Sequence, residues 1–110
     1  MAFDEALAER VRRILATRED VSERRMFGGL AFMVGDHMAC GVLRDELIVR
    51  VGRDGHDDAL AQPHARPFDF TGRPSRGIVF VGPGGIDGDP QLEAWVDRGV
   101  RNVTSAASPA

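Results

Sequence analysis

Every basic side chain in this 110-residue chain is an arginine, 14 in all, and none is a lysine. A guanidinium is a planar fork that matches carboxylate and phosphate geometry, so an all-arginine set suggests anion recognition. Seven of these residues, Arg24, Arg25, Arg50, Arg53, Arg66, Arg73 and Arg76, fall in or beside the stretches that read as strands. Acidic residues gather instead in the two ends of the chain. Arg24, Arg25, Arg50 and Arg73 are the candidates for an anion-binding or partner-binding patch. The competing reading is a scattered, solvated surface with arginine usage set by genome composition.

The other reactive side chains make a weaker case. His37, His56 and His64 form neither an H-x-H nor an H-E-x-x-H pattern and have no cysteine pair beside them, so no metal site is expected. All three read as solvated turn residues. Cys40 is the single cysteine; it lies mid-strand, where a free thiol acts as a small buried hydrophobe rather than a nucleophile. Asp57 and Asp58 read as first-turn helix residues, and Asp89 as a helix cap. No catalytic residue and no cofactor is assigned.

Positioning these groups falls to a short series of elements. Phe3, Leu7, Val11, Ile14 and Leu15 share one face of an amphipathic helix over residues 3–17. Residues 17–22 are polar and read as a loop. Residues 24–51 read as a three-stranded antiparallel meander. Its first strand runs from Phe27 to Val34, its second from His37 to Leu43, and its third from Glu46 to Val51. Gly35-Asp36 and Arg44-Asp45 supply the tight turns. A short helix follows over residues 52–62, capped by Asp54 and ended by Pro63. Phe68-Asp69-Phe70 and Ile78–Val81 read as two further strands. Asp89-Pro90 opens a last helix whose apolar stripe is Leu92, Trp95, Val96, Val100 and Val103.

The resulting expectation is an α+β fold, a two-layer arrangement with an antiparallel sheet of about five strands and packed helices, in the order α-β-β-β-α-β-β-α. Residues 1–104 form one domain and residues 105–110 a frayed tail. Within the apolar sheet, Gly28-Gly29 needs a reason, because glycine weakens a strand; a bulge or a close backbone approach is expected there. The first two strands are apolar on both faces, so helices on both sides or a second copy must cover the sheet; a homodimer is expected.

Totals bound the function. The apolar share of 43% is enough for a packed core, and the net charge of -3 argues against a stand-alone nucleic-acid binder. There is no run of the roughly 18 apolar residues that a membrane span requires. With one cysteine and no secretory layout at the start, a cytoplasmic location is expected.

The segment Arg25-Met26-Phe27-Gly28-Gly29-Leu30 resembles the motif of the TfoX/Sxy N-terminal domain family, with Met26, Phe27, Gly28 and Gly29 as a structural rather than catalytic motif. Agreement continues through the Gly-Asp hairpin with Met38, Leu47-x-Val49-Arg50-Val51, Pro67-Phe68-Asp69-Phe70, the Gly77 to Val81 strand and a closing helix with Leu92 and Trp95. The resemblance implies a compact α+β fold. It also implies a link to natural competence, in which full-length members assist transcription with a cyclic-AMP receptor protein; only their first domain is matched here. The expected function is a non-catalytic regulatory or protein-interaction module. One alternative is a transcription-complex accessory that contacts nucleic acid through its arginines. Another is a small-molecule binder or enzyme with Arg50, His64 or Cys40 in a pocket between sheet and helices.

Overall fold

The computed structural model describes residues 3–26, 28–69 and 76–107. Its elements are α1 (Glu5–Leu15), β1 (Val21–Met26), β2 (Gly29–Val34), β3 (His37–Leu43), β4 (Glu46–Arg50), α2 (His56–Leu60), β5 (Ala65–Pro67), β6 (Ile78–Val81), a 3-10 turn (Pro83–Gly85) and α3 (Asp89–Ala107). The strands form one open, fully antiparallel sheet in the order β1-β2-β3-β4-β6-β5. The α+β class holds, with one strand more than the hydrophobic pattern indicates.

That extra strand is β1, which takes in Val21 and Ser22 from the end of the expected loop over residues 17–22 and then runs through residues 23–26, ahead of the expected first strand; residues 17–20 stay outside any strand, as expected. Five of its six residues are exposed, so it has no apolar run or alternation to announce it. Backbone pairing to β2, not side-chain burial, makes it a strand. Gly28 and Gly29 therefore lie not in mid-strand but at a turn: Met26 pairs with Gly29, and Gly28 has φ +79°. A positive φ is what glycine supplies at little cost. Phe27, the other motif residue, lies outside the described residues. The Gly35-Asp36 and Arg44-Asp45 turns stand as expected, joining Val34 to His37 and Leu43 to Glu46.

Further along, α2 starts after Gly55, and no side chain caps it; Asp54 lies too early to do so. The strand expected at residues 68–70 sits earlier, at Ala65–Pro67; Phe68 is buried as a packing residue, and Phe70 lies outside the described residues. Asp89 belongs to the first turn of α3. Its carboxylate accepts from Arg10 Nε and Nη2 (3.2 and 3.0 Å), while Arg10 Nη2 also donates to the carbonyls of Ile86 and Asp87. Arg10 thus ties α1 to the entry of α3. The start of α1 is capped by Asp4, which accepts from the N–H groups of Ala6 (2.9 Å) and Leu7 (3.2 Å).

The sheet has a thick and a thin side. On the thick side, Leu7, Val11 and Leu15 of α1, Ala59 of α2 and Leu92, Val96, Val100 and Val103 of α3 pack on Leu30, Phe32, Val34, Cys40, Val42, Leu47 and Val49. On the thin side, Ala31, Met33, Met38, Leu43, Ile48 and Phe80 form a second cluster with Phe68, whose ring lies 4.9 Å from that of Phe80. These thin-side residues are buried within the single chain. Cover for the second face therefore does not require a second copy.

α3 sits over β3 and β4, and its seat is a bulge. Phe32 pairs with Cys40 and Met33 with Met38, which leaves Ala39 without a partner on β2. Ala39 and Cys40 both join the thick-side core. Gly99 of α3 lies directly on the Ala39 carbonyl, where a Cβ would overlap the oxygen and meet Val49 Cγ1 at 3.4 Å. In an unhindered helix, Gly→Ala gains about 1 kcal/mol. Here the sign reverses: Gly99→Ala should lower stability by about 1–3 kcal/mol, the usual cost of overpacking, read as a reduced urea midpoint with unchanged slope.

A second stability test concerns the clamp between α1 and β1. Arg12 donates to both oxygens of Glu23, at 2.7 and 2.9 Å. This pairing holds the Glu23 carboxyl below the usual glutamate range, with desolvation opposing it. Its contribution is therefore complete above the ordinary glutamate pKa and is lost as pH falls through the lowered value. Both side chains are about a third exposed, so solvent screening limits the pair to about 0.5 kcal/mol. A double-mutant cycle of Arg12→Ala and Glu23→Ala should return that coupling at neutral pH and none in strong acid.

Candidate functional site

The seven arginines of the sheet region do not form one patch. Arg24 and Arg25 lie on β1, and Arg50 on β4, three strands away. At about 4.8 Å per strand this is roughly 14 Å. Arg24 and Arg25 also point to opposite faces, since Arg24 pairs with thin-side Ala31 and Arg25 with thick-side Leu30. Arg66 is used internally. Its Nη2 donates to both oxygens of the buried Glu46 at 2.6 Å, and its guanidinium lies 4.3 Å from the Phe80 ring centroid. Arg73 lies outside the described residues.

What the structure does bring together is Arg50, Arg53 and Arg76, at the corner where the segments after β4 and before β6 touch. The contact is between Gly52 and Gly77. The N–H groups of Val51 and Gly52 both donate to the Gly77 carbonyl, at 2.8 and 3.0 Å. Gly77 has φ +93°, and a Cβ on it would press on the Gly52 carbonyl carbon (3.1 Å) and Arg53 N (3.3 Å). Arg53 follows Gly52, Arg76 precedes Gly77, and Arg50 is the register partner of Ile78. Three guanidinium-bearing residues thus leave one rigid backbone junction.

The junction is held from its other side by His56. This histidine is buried, at 7% exposure, and its Nδ1 accepts from the Gly77 N–H at 3.0 Å. The ring is therefore neutral at Nδ1 and carries its proton on Nε2. The expectation of a solvated turn residue is corrected for His56, while His37 and His64 are exposed. A lone histidine inside a polar, charged stretch has no pattern that marks it as buried; only the approach of Gly77 makes it so.

Charge is unbalanced at this corner. Arg10, Arg12, Arg18, Arg44, Arg66, Arg98 and Arg101 each form an ion pair with a carboxylate. Arg50, Arg53 and Arg76 form none among the described residues. Arg53 and Arg76 are exposed and Arg50 is half-buried, with its Nε enclosed and without a hydrogen-bond partner among the described residues. A buried donor on a charged group left unsatisfied costs free energy. Asp54, next to Arg53, is exposed and pairs with no arginine among the described residues.

The groups of a catalytic alternative are kept apart. Cys40 is fully buried in the thick-side core, and burial pushes its thiol pKa up to about 12, so the reactive thiolate is suppressed. Arg50 lies on the opposite face. His64 stands in a cleft of about 380 Å³ lined by Gln62, Gly84, Gly85, Trp95 and Arg98. There, Arg98 is already bonded to Asp58 (2.7 Å) and the Gly55 carbonyl (3.2 Å). A larger groove of about 550 Å³ runs between α1 and α3 and holds no histidine or cysteine. Among the described residues, no group of three or more His, Cys, Asp or Glu could hold a metal ion, and no helix is long and apolar enough to cross a membrane.

The His56 bond supplies a direct check on the junction. His56→Phe keeps the ring volume and strands the Gly77 N–H without its acceptor. It should cost about 1–3 kcal/mol in unfolding free energy while leaving the far-ultraviolet circular dichroism unchanged.

No curated protein and no solved structure matches the chain. The family model of the TfoX N-terminal domain matches residues 13–103, a span that runs from α1 through the sheet to α3 and includes both the Met26–Gly29 turn and the arginine junction. The chain belongs to the TfoX N-terminal domain family.

Proposed function

We propose that this protein is a non-catalytic regulatory module that binds an acidic surface of a partner protein, and that Arg50, Arg53 and Arg76 form the contact. The observation that carries the reading is the meeting of Arg50, Arg53 and Arg76 at the Gly52–Gly77 junction, where none of the three pairs with a carboxylate among the described residues. Family membership supports a regulatory or interaction role. The transcription-linked role of the longer relatives is the setting in which such a partner would be met. A protein carboxylate suits the corner better than a nucleic-acid backbone does. The net charge of -3 opposes long-range attraction to a polyanion, whereas three arginines on a small patch match a local acidic cluster.

The test is fluorescence anisotropy with a labelled oligo-glutamate peptide at low salt. Binding by the wild type is expected. Converting Arg50, Arg53 and Arg76 to glutamine together should weaken it by about tenfold or more. A control with the same net charge, Arg13→Gln, Arg18→Gln and Arg101→Gln, should bind within about twofold of wild type. Equal losses in the two triples, or no peptide binding by the wild type, would overturn the proposal. Stronger binding of duplex DNA than of peptide, lost in the first triple, would favour the nucleic-acid reading instead.

A further inference from the structure

The two edges of the sheet are built differently. β5 is three residues long and ends in Pro67, which has no N–H to donate. β1 is six residues long, pairs with β2 without a bulge and contains no proline. Its outward backbone groups can be identified. The Gly35 N–H donates to the Asp20 carbonyl at 2.9 Å, extending the β1–β2 register by one pair. Hydrogen-bonded pairs alternate along an antiparallel ladder, so Ser22, Arg24 and Met26 are the residues that bond to β2. Val21, Glu23 and Arg25 turn their N–H and C=O groups away from the sheet.

We infer that β1 pairs antiparallel with β1 of a second copy, forming a two-fold dimer with one continuous sheet. The argument for a second copy is self-complementary charge. A two-fold axis perpendicular to the sheet keeps thick face beside thick face, so only residues of like parity can oppose one another. Among those registers, one places Glu23 opposite Arg25 of the other copy, and does so twice. Both are outward-bonding residues, so the charge pairs coincide with the hydrogen-bonded pairs. Shifting the register by one allowed step sets Glu23 against Glu23 or Arg25 against Arg25, and both Glu–Arg pairs are lost.

Three further observations fit this arrangement. Arg25 is held on the thick face by its own Phe3, with the guanidinium 5.9 Å from the ring centroid. Glu23 is held there by Arg12 and, as a carboxylate, retains lone pairs for a second arginine. Met26, 38% exposed, is opposite Ser22 of the other copy and gains cover from it. One contact opposes pairing: Arg24 faces itself across the axis on the thin side, and like charges there repel. The dimer is accordingly weak and salt-sensitive in a way that the Arg24 side chain controls. It leaves the Arg50, Arg53 and Arg76 corner free, three strands from the new seam.

Register makes the inference testable by cysteine trapping and by affinity. Arg24 opposite Arg24 is a non-hydrogen-bonded pair, with a Cα separation of about 4.5 Å, inside the range a disulfide spans. Arg24→Cys should therefore cross-link into dimers on mild oxidation, while Glu23→Cys and Ser22→Cys should not; the native Cys40 is buried and does not compete. In sedimentation equilibrium, Arg25→Glu should weaken the dimer by about tenfold or more, and Arg24→Ser should strengthen it severalfold by removing the self-repulsion. The strengthened variant guards against mistaking a folding defect for lost pairing. A wild-type chain that stays monomeric up to roughly 1 mM, cross-linking through Glu23→Cys in place of Arg24→Cys, or an affinity indifferent to Arg25→Glu would each overturn the inference.

Discussion

The contact on which the rest of this structure depends is the seat of α3 on the sheet. A helix of 19 residues lies over the central strands because one of its positions, Gly99, has no side chain and one strand, β3, bulges at Ala39 to meet it. Backbone touches backbone there. With that distance set, Leu92, Val96, Val100 and Val103 reach into the layer formed by Phe32, Val42, Leu47 and Val49. α1 follows through Leu7, Val11 and Leu15, and Arg10 fastens it to the entry of α3. The helices thus share one face because their apolar stripes have one common floor. The other face is closed by smaller means, with Phe68 against Phe80 and Arg66 neutralised by Glu46.

This division of labour explains where charge is left over. Three arginines on the helices hold elements together: Arg10 to Asp89, Arg12 to Glu23 and Arg98 to Asp58. Arginines at the Gly52–Gly77 junction have no such task, because the junction is fixed by backbone hydrogen bonds and by His56. In the proposed function, a charge not spent on an ion pair and carried on a hydrogen-bonded junction would meet a ligand at little reorganisation cost. Cys40 shows the converse. Its burial contributes to the core and, by raising the thiol pKa, disfavours the reactive thiolate in the same step.

The sheet's edges carry the same contrast between closed and open. Pro67 and a short strand close one edge, while β1 leaves unbonded backbone groups along the other. An open edge is usually a hazard, and charged residues are the common remedy. On β1 those charges are Glu23 and Arg25, and in the inferred self-pairing the same two residues would serve both protection and recognition.

Much of the fold was legible in the residues. Helical spacing marked α1 and α3, the Gly-Asp and Arg-Asp turns marked the β2–β3–β4 meander, and the run Ile78–Val81 marked β6. These signals are local, since each apolar stripe or turn residue acts within a few positions of itself. β1 escaped notice because Ser22, Glu23, Arg24 and Arg25 have no pattern of their own; their strand exists only by pairing with β2. The Met26–Gly29 segment was recognisable as a family motif, yet its role as a turn rather than a strand interior followed from that same pairing. The site divides likewise. Arg50 was a candidate from its type and place, but Arg53 and Arg76 join it, and Arg24 and Arg25 leave it, only through strand order. Sequence by itself determined which residues seek burial, where the chain turns and how much arginine it carries. Tertiary structure alone decided which arginines are spent on ion pairs and which stand free, because pairing depends on contacts between segments far apart in the chain.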